Sequence, residues 1–171
     1  MALLEIKKYP DKALRKKSAP VEAGDKDLQR LIDDMIETMQ ATFGIGLAAP
    51  QVGAHKRLIV IDVSGRTEDD IELLVMINPE ITEADDIGES EEGCLSVPEY
   101  VAHIKRAGRV KARGLDRNYR KIEVEATGLL ARALQHEIDH LDGVLIIDRL
   151  SAIKREFFEK RHQKAAKESK A

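Results

Sequence analysis

Apolar positions recur along this chain in two rhythms. Leu28, Leu31, Ile32, Met35, Ile36 and Met39 fall at helical spacing and predict a core-facing helix with Asp25 as its N-cap. Arg57–Val63 and Leu73–Ile81 are apolar and β-branched and read as strands. Tyr100–Lys105, Arg109–Leu115 and Lys121–Glu125 read as further strands, the last two joined by a hairpin connection at Asp116–Arg120. Helical spacing returns from Thr127 to Leu141, with Gly143 just past the end, and Val144–Asp148 reads as a short strand. Ser64–Asp70 and Glu83–Glu91 are polar enough to read as solvated loops. Tyr9-Pro10-Asp11 and Ser18-Ala19-Pro20 punctuate an irregular N-terminal segment. The stretch Ser151–Ala171 carries Ile153, Phe157 and Phe158 near its start and then turns polar, which predicts a helix docked at its beginning and fraying at its end.

Composition narrows the class. With 171 residues, 43% hydrophobic and 35% charged, the chain suits one globular domain with a sizeable core. No apolar run reaches the roughly 18 residues of a membrane span, and the first residues lack the apolar centre of a signal peptide. The single cysteine, Cys94, forms no intrachain disulfide, so a reducing, cytoplasmic home is expected. A net charge of −3 argues against binding DNA through the whole domain. Charge is unevenly placed, however. Thr67–Ala102 holds twelve acidic residues and no Lys or Arg, whereas Arg149 to the end holds eight basic residues and three acidic ones.

The helix that ends at Leu141 contains His136-Glu137-Ile138-Asp139-His140. At about 100° and 1.5 Å per residue, the two histidines sit roughly 40° apart around the axis and about 6 Å along it. Both imidazoles can reach one metal ion from one helical face, and Glu137, rotated to the side, flanks the open position. Two neutral ligands, an adjacent base and room for water are what metal-assisted hydrolysis requires. The alternative is a surface helix with two solvated histidines. A catalytic site of this type uses three protein ligands, and Cys94 can supply the third as a thiolate; it can equally be a small buried apolar residue. Gly93 beside it permits a tight turn.

Small residues crowd Gly44-Ile45-Gly46-Leu47-Ala48-Ala49-Pro50-Gln51-Val52-Gly53, which lets another group approach the backbone closely. The stretch lacks the Gly-Lys-Ser/Thr ending of a phosphate loop, so a nucleotide site is not expected. Gln51 is either an N–H donor aimed at a developing oxyanion or a structural hydrogen-bonding group.

Together, Gly44–Gln51, Glu92-Gly93-Cys94-Leu95-Ser96 and Gln135–His140 resemble the three signature motifs of the peptide deformylase family, in order and at fitting separations. The resemblance implies an α+β fold, with antiparallel β-sheets around a central metal-binding helix, an N-terminal helix and a C-terminal helix. It implies a catalytic domain over residues 1–150 and a basic helical extension over 151–171. Cys94, His136 and His140 would bind one divalent ion, Fe(II) in the cell, with zinc, nickel or cobalt able to replace it. The implied reaction removes the formyl group from the N-formylmethionine of nascent chains, releasing formate. Glu137 would handle the proton, and Gln51 and the Leu95 backbone N–H would meet the oxyanion. Ile45, Glu92, Leu129, Arg132, Ala133 and His136 would surround the methionine, with the peptide running along Ile45 and Gly46. Relatives often carry apolar or thiol side chains where this chain has Arg132 and Ala133; the aliphatic stem of Arg132 can still line a pocket. The basic tail resembles an extension that docks some family members on the ribosome.

Two other readings compete. A metallopeptidase would take its third ligand downstream, from Glu156 or Glu159, and a non-catalytic metal-stabilised module would bind ribosomes through the tail alone.

Overall fold

The computed structural model of the chain describes residues 2–67 and 72–169. Its framework is one five-stranded antiparallel sheet, β1 (Gly46–Ala48), β2 (Leu58–Ile61), β3 (Leu74–Cys94), β4 (Val97–Leu115) and β5 (Lys121–Thr127), in sequential spatial order. Among the described residues three α-helices accompany it: α1 (Leu28–Ala41), α2 (Gly128–Leu141) and α3 (Ala152–Ser169). The α+β class and both terminal helices are as the resemblance implies. The long strands β3 and β4 join what would otherwise be separate sheets into one.

Helices cover both faces of the sheet, and β2 shows why its sequence is uniformly apolar. Ile59 and Ile61 face a core shared with Leu130, Ala131, Leu134 and Leu141 of α2, whereas Leu58 and Val60 face Leu28, Ile32, Met35 and Met39 of α1. Successive strand residues point to opposite faces, so a strand covered twice has no polar side. The N-terminal segment lies over α1, where the Leu4 N–H donates to Thr38 Oγ1 at 2.9 Å.

Several boundaries differ from expectation. The first helix starts at Leu28 with Asp27 as its N-cap residue; the side chain of Asp25 instead accepts the Asp27 N–H at 3.1 Å and pairs with Lys56. The acidic stretch Glu83–Glu91 is strand, because its exposed carboxylates lie across from the basic residues of β4: Arg109 reaches Asp85 at 2.7 Å and Glu83 at 3.4 Å. Tyr100–Lys105 and Arg109–Leu115 are parts of one strand, β4. Val144–Asp148 is not a strand. Ile146–Arg149 forms a 3-10 turn with Ile146 and Ile147 buried, fastened by the Leu145 N–H donating to Asp148 Oδ2 at 2.8 Å. The loop expected over Ser64–Asp70 is described as far as Thr67, and the rest of it lies outside the described residues.

The hairpin connection at Asp116–Arg120 is present, with Asp116 Oδ1 accepting the N–H groups of Asn118 and Arg120. Helix α2 ends as its sequence suggests, with Gly143 at φ 75°. A side chain there would lie 2.5 Å from the Arg15 carbonyl oxygen, so the position is doubly restricted to glycine.

The tail forms α3 to Ser169, the last described residue. Among the described residues of α3 only Phe158 is buried, edge-on to Tyr9 and Tyr100 at centroid distances of 5.4 and 4.7 Å, with His162 also packed against Tyr9 at 4.9 Å. Ile153 and Phe157, expected to help, stand 69% and 65% exposed. At helical spacing, neighbours 157 and 158 lie about 100° apart, so one helix face can seat only one of them.

Candidate metal centre

Helix α2 carries His136 and His140 on its buried face. The two-residue turn Leu95-Ser96 joins β3 to β4 and sets Cys94 opposite Val97 at the end of the ribbon, against that helix. Cys94 Sγ lies 3.4 Å from His140 Nε2, which lies 3.2 Å from His136 Nε2. All three ligand atoms fall within 4.8 Å of one another. Tetrahedral coordination at ordinary bond lengths separates two nitrogens by about 3.3 Å and a nitrogen from a sulfur by about 3.6 Å. The donor set therefore fits one first-row divalent ion.

Tautomer and charge support the fit. The carboxylate of Glu92 accepts from His136 Nδ1 at 2.9 Å, so His136 Nε2 keeps its lone pair for the cluster. Arg106 grips the same carboxylate twice, Nε to Oε2 at 2.8 Å and Nη2 to Oε1 at 2.9 Å, and Ser90 Oγ donates to Oε2 at 2.8 Å. Arg106 Nη1 continues to Asp139 at 2.7 Å, and Asp139 in turn holds Arg149. Burial works against an ionised Glu92, but the hydrogen bonds from His136 and Arg106 prevail and hold its carboxyl at about 2. His136 is likewise pushed down by burial, and the Cys94 sulfur and Glu92 outweigh that and raise it. At His140, by contrast, burial and then the positive charges of His136 and Arg106 push the imidazole well below its ordinary value.

Glu137 is buried beside the cluster, and burial pushes its carboxyl up to about 7. Its Oε2 has no hydrogen-bond partner among the described residues. Space for the side chain comes from Gly46, where an added Cβ would sit 2.5 Å from Glu137 Oε1. A buried carboxyl poised near neutrality with an unused oxygen is suited to taking and returning a proton.

Gln51 makes structural hydrogen bonds, and its amide nitrogen also faces the donor cluster. Its Oε1 accepts the Ala48 N–H at 2.9 Å, which fixes the amide so that Nε2 points into the site. That nitrogen donates to Ser96 Oγ at 3.0 Å and faces Cys94 Sγ at 3.8 Å.

A cavity of about 1040 Å³ opens over these groups. Ile45, Gly46, Glu92, Leu95, Leu129, Arg132 and Ala133 all line it, together with Gln51, Cys94, His136 and Glu137. Glu92 reaches the wall although its oxygens are engaged by Ser90, Arg106 and His136. His140 lies behind the wall, buried, with only its Nε2 turned to the cluster. Neither Glu156 nor Glu159 joins the ligands: Glu156 pairs with Lys160 at 3.1 Å and Glu159 with Arg155 at 3.4 Å, both on α3.

Sequence reasoning missed Arg106, Ser90, Ser96 and Asp139. A signal for Arg106 existed, since Ala102, Ile104 and Arg106 share one parity on β4 and all are buried. A charged residue on the inward register of an apolar strand requires a buried partner.

Known proteins agree with this geometry. The family model described as polypeptide deformylase matches residues 3–156. A peptide deformylase of Thermodesulfovibrio yellowstonii is 61% identical over 161 residues, covering 94% of this chain and 97% of the relative. One from Syntrophobacter fumaroxidans is 51% identical over the full length of both. The crystal structure of a peptide deformylase from Legionella pneumophila superposes with a TM-score of 0.88 at 44% identity, covering 98% of this chain and 97% of that one. Sequence, fold and the ring of donors thus converge, and the chain belongs to the polypeptide deformylase family.

Proposed function

We propose that the cleft over Cys94, His136 and His140 is where this chain carries out the family's reaction. The chain is an enzyme that removes the formyl group from the N-terminus of nascent polypeptides. The observation that carries the site assignment is the convergence of one sulfur and two Nε2 atoms beside the unpartnered Oε2 of Glu137.

Cys94, His136 and His140 hold one divalent ion, which supplies Lewis acidity when bound. Glu137 takes a proton from the attacking water and returns it to the amine nitrogen as the carbon–nitrogen bond breaks, so that formate and a free amino terminus result. The Nε2 of Gln51 and the Leu95 backbone N–H donate to the formyl oxygen as it gains charge. Gln51 is pre-oriented by Ala48, so little reorganisation accompanies that step. Ile45, Leu129, Ala133 and the stem of Arg132 receive the methionine side chain, with His136 and Glu92 closing one end. The peptide extends along Ile45 and Gly46.

The ion in the cell is Fe(II), with zinc, nickel or cobalt able to substitute; a mixed thiolate and imidazole set supports such first-row ions. Residues 1–150 form the catalytic unit, and 151–171 form a basic extension of it. Lys154, Lys160, Lys164 and Lys167 on α3 support docking on the ribosome, which removal of 151–171 should abolish in co-sedimentation. Among the described residues no helix is long and apolar enough to cross a membrane. Action on nascent chains supports a cytoplasmic location.

Formate release from N-formyl-Met-Ala-Ser by protein purified without oxygen, with metal measured on the same sample, tests the assignment. Glu137→Ala should retain metal and lose about 10²- to 10⁴-fold in rate. A metallated wild type that releases no formate would refute the reading.

A further inference from the structure

The two groups proposed to meet the formyl oxygen come from different parts of the chain. Gln51 belongs to the 3-10 turn Ala49–Val52, and the Leu95 N–H belongs to the turn between β3 and β4. Such donors act well only when both are held at about 2.7–3.1 Å from one point before charge develops there. Something must therefore tie one turn to the other.

Ser96 is placed to do so. It follows Leu95 in the same turn and is fully buried. Its Oγ accepts from Gln51 Nε2 at 3.0 Å across 45 positions of sequence, and its carbonyl accepts the Tyr9 N–H at 2.8 Å. Gln51 Oε1, held by the Ala48 N–H at 2.9 Å, is a single pivot about which the amide can still tilt. Ser96 Oγ supplies a second anchor, on the nitrogen. It takes one of the two Nε2 hydrogens and leaves the other for the cleft, where Cys94 Sγ lies 3.8 Å away. Most side-chain hydrogen bonds go to backbone or water, so a fully buried bond between side chains of two turns is a specific placement.

We propose that Ser96 is a positioning residue for deformylation: its hydroxyl locks the Gln51 amide to the turn that carries the Leu95 N–H, and so sets the spacing of the two donors. The proposal rests on the deformylase reading and on the roles given to Gln51 and Leu95. A group that acts through the oxyanion donors matters in the transition state and not in substrate binding, so its loss falls on kcat and leaves KM alone.

The test compares metallated wild type, Ser96→Ala, Gln51→Ala and the double variant on N-formyl-Met-Ala-Ser, with metal measured on each. Ser96→Ala should lose about 10- to 100-fold in kcat, less than the roughly 10²- to 10³-fold of removing an oxyanion donor outright. Its KM should stay within about twofold of wild type, and Ser96→Thr, which keeps the hydroxyl, should restore most of the rate. In the Gln51→Ala background no amide remains to be held, so Ser96→Ala should cost nothing more. A loss that multiplies the Gln51→Ala loss in full, or a Ser96→Ala enzyme with unchanged kcat, would overturn the proposal. The Gln51 side-chain amide of the zinc-loaded wild type, identified by its absence in Gln51→Ala, should have an NMR order parameter of about 0.85, that of rigid backbone. A value below about 0.6 would overturn the proposal even if Ser96→Ala does not fold. No formate from the metallated wild type would remove the deformylase reading itself, a failure separate from these.

Discussion

The Glu92 carboxylate accepts a hydrogen bond from His136 Nδ1 at 2.9 Å while both of its oxygens are held by Arg106. One buried side chain thus orients a proposed metal ligand and neutralises a buried guanidinium. Glu92→Gln keeps the shape but turns an amide toward Arg106 or His136. Metal affinity, read by competition with a chelator, should fall about 10- to 100-fold. Thermal stability should fall as well, because breaking a buried ion pair on one side costs about 3–5 kcal/mol. Unchanged metal affinity would show that His136 needs no such partner.

Gly46→Ala tests how closely β1 approaches the proposed proton carrier. The added Cβ would fall 2.5 Å from Glu137 Oε1 and 2.9 Å from its Cδ, so the carboxylate must move. Misplacement by about 1 Å can cost on the order of 100-fold in rate. The expectation is a loss of that size in kcat/KM with one metal per chain retained. Full activity would mean that the position of Glu137 is not critical.

Asp148 links three parts of the chain. It pairs with Arg15 of the N-terminal segment, accepts the Leu145 N–H at 2.8 Å and meets Arg155 of α3 at 3.2 Å. Burial raises its carboxyl, but Arg15 and the Leu145 N–H outweigh burial and leave it below the usual carboxylate range. A lowered value in the folded state means that the stabilisation is present above the unfolded value of about 3.9 and is lost as pH falls through the folded one. Asp148→Asn should therefore be less stable than wild type at pH 7, by about 1 kcal/mol for partly exposed pairs. Melting curves of the two proteins should converge at acid pH. A gap that persists below both values would refute the linkage.

Phe158 is the apolar anchor of α3 and is 6% exposed. Phe158→Ala removes a buried aromatic, a change that costs about 3–5 kcal/mol where the loss is felt globally. Because Ile153 and Phe157 on the same helix are exposed, the loss should instead appear as local detachment. Amide exchange across 152–169 should accelerate while α2 stays protected. Equal acceleration in α2 would show that the extension and the catalytic unit unfold together.

Much of this protein is legible in local sequence. The i, i+4 histidines, the glutamate between them and Gly143 beyond the helix end are determined by spacing alone, because helix geometry is local. The apolar rhythms give the helices and most of the strands, and the motif set, through the resemblance, gives the family and the class of fold. The acidic stretch Glu83–Glu91 was not legible as strand, because its stability comes from β4, whose basic residues lie some twenty positions away in sequence. Val144–Asp148 failed for the converse reason: its apolar residues are buried by neighbours without any strand to pair with.

What the sequence by itself determined is each residue's local conformation and chemical type: two imidazoles on one helix face, a lone thiol, a carboxylate able to act as a base. Only the tertiary structure decided their joint use. It brought Cys94 to within 3.4 Å of His140 from 46 positions away, turned the Gln51 amide inward through Ala48, and set Arg106 behind Glu92. It also buried Glu137 so that its carboxyl rises to about 7. The physical reason is that proton affinity, hydrogen-bond direction and metal geometry depend on distances between segments and on exclusion of water, which arise only when the strands and helices pack.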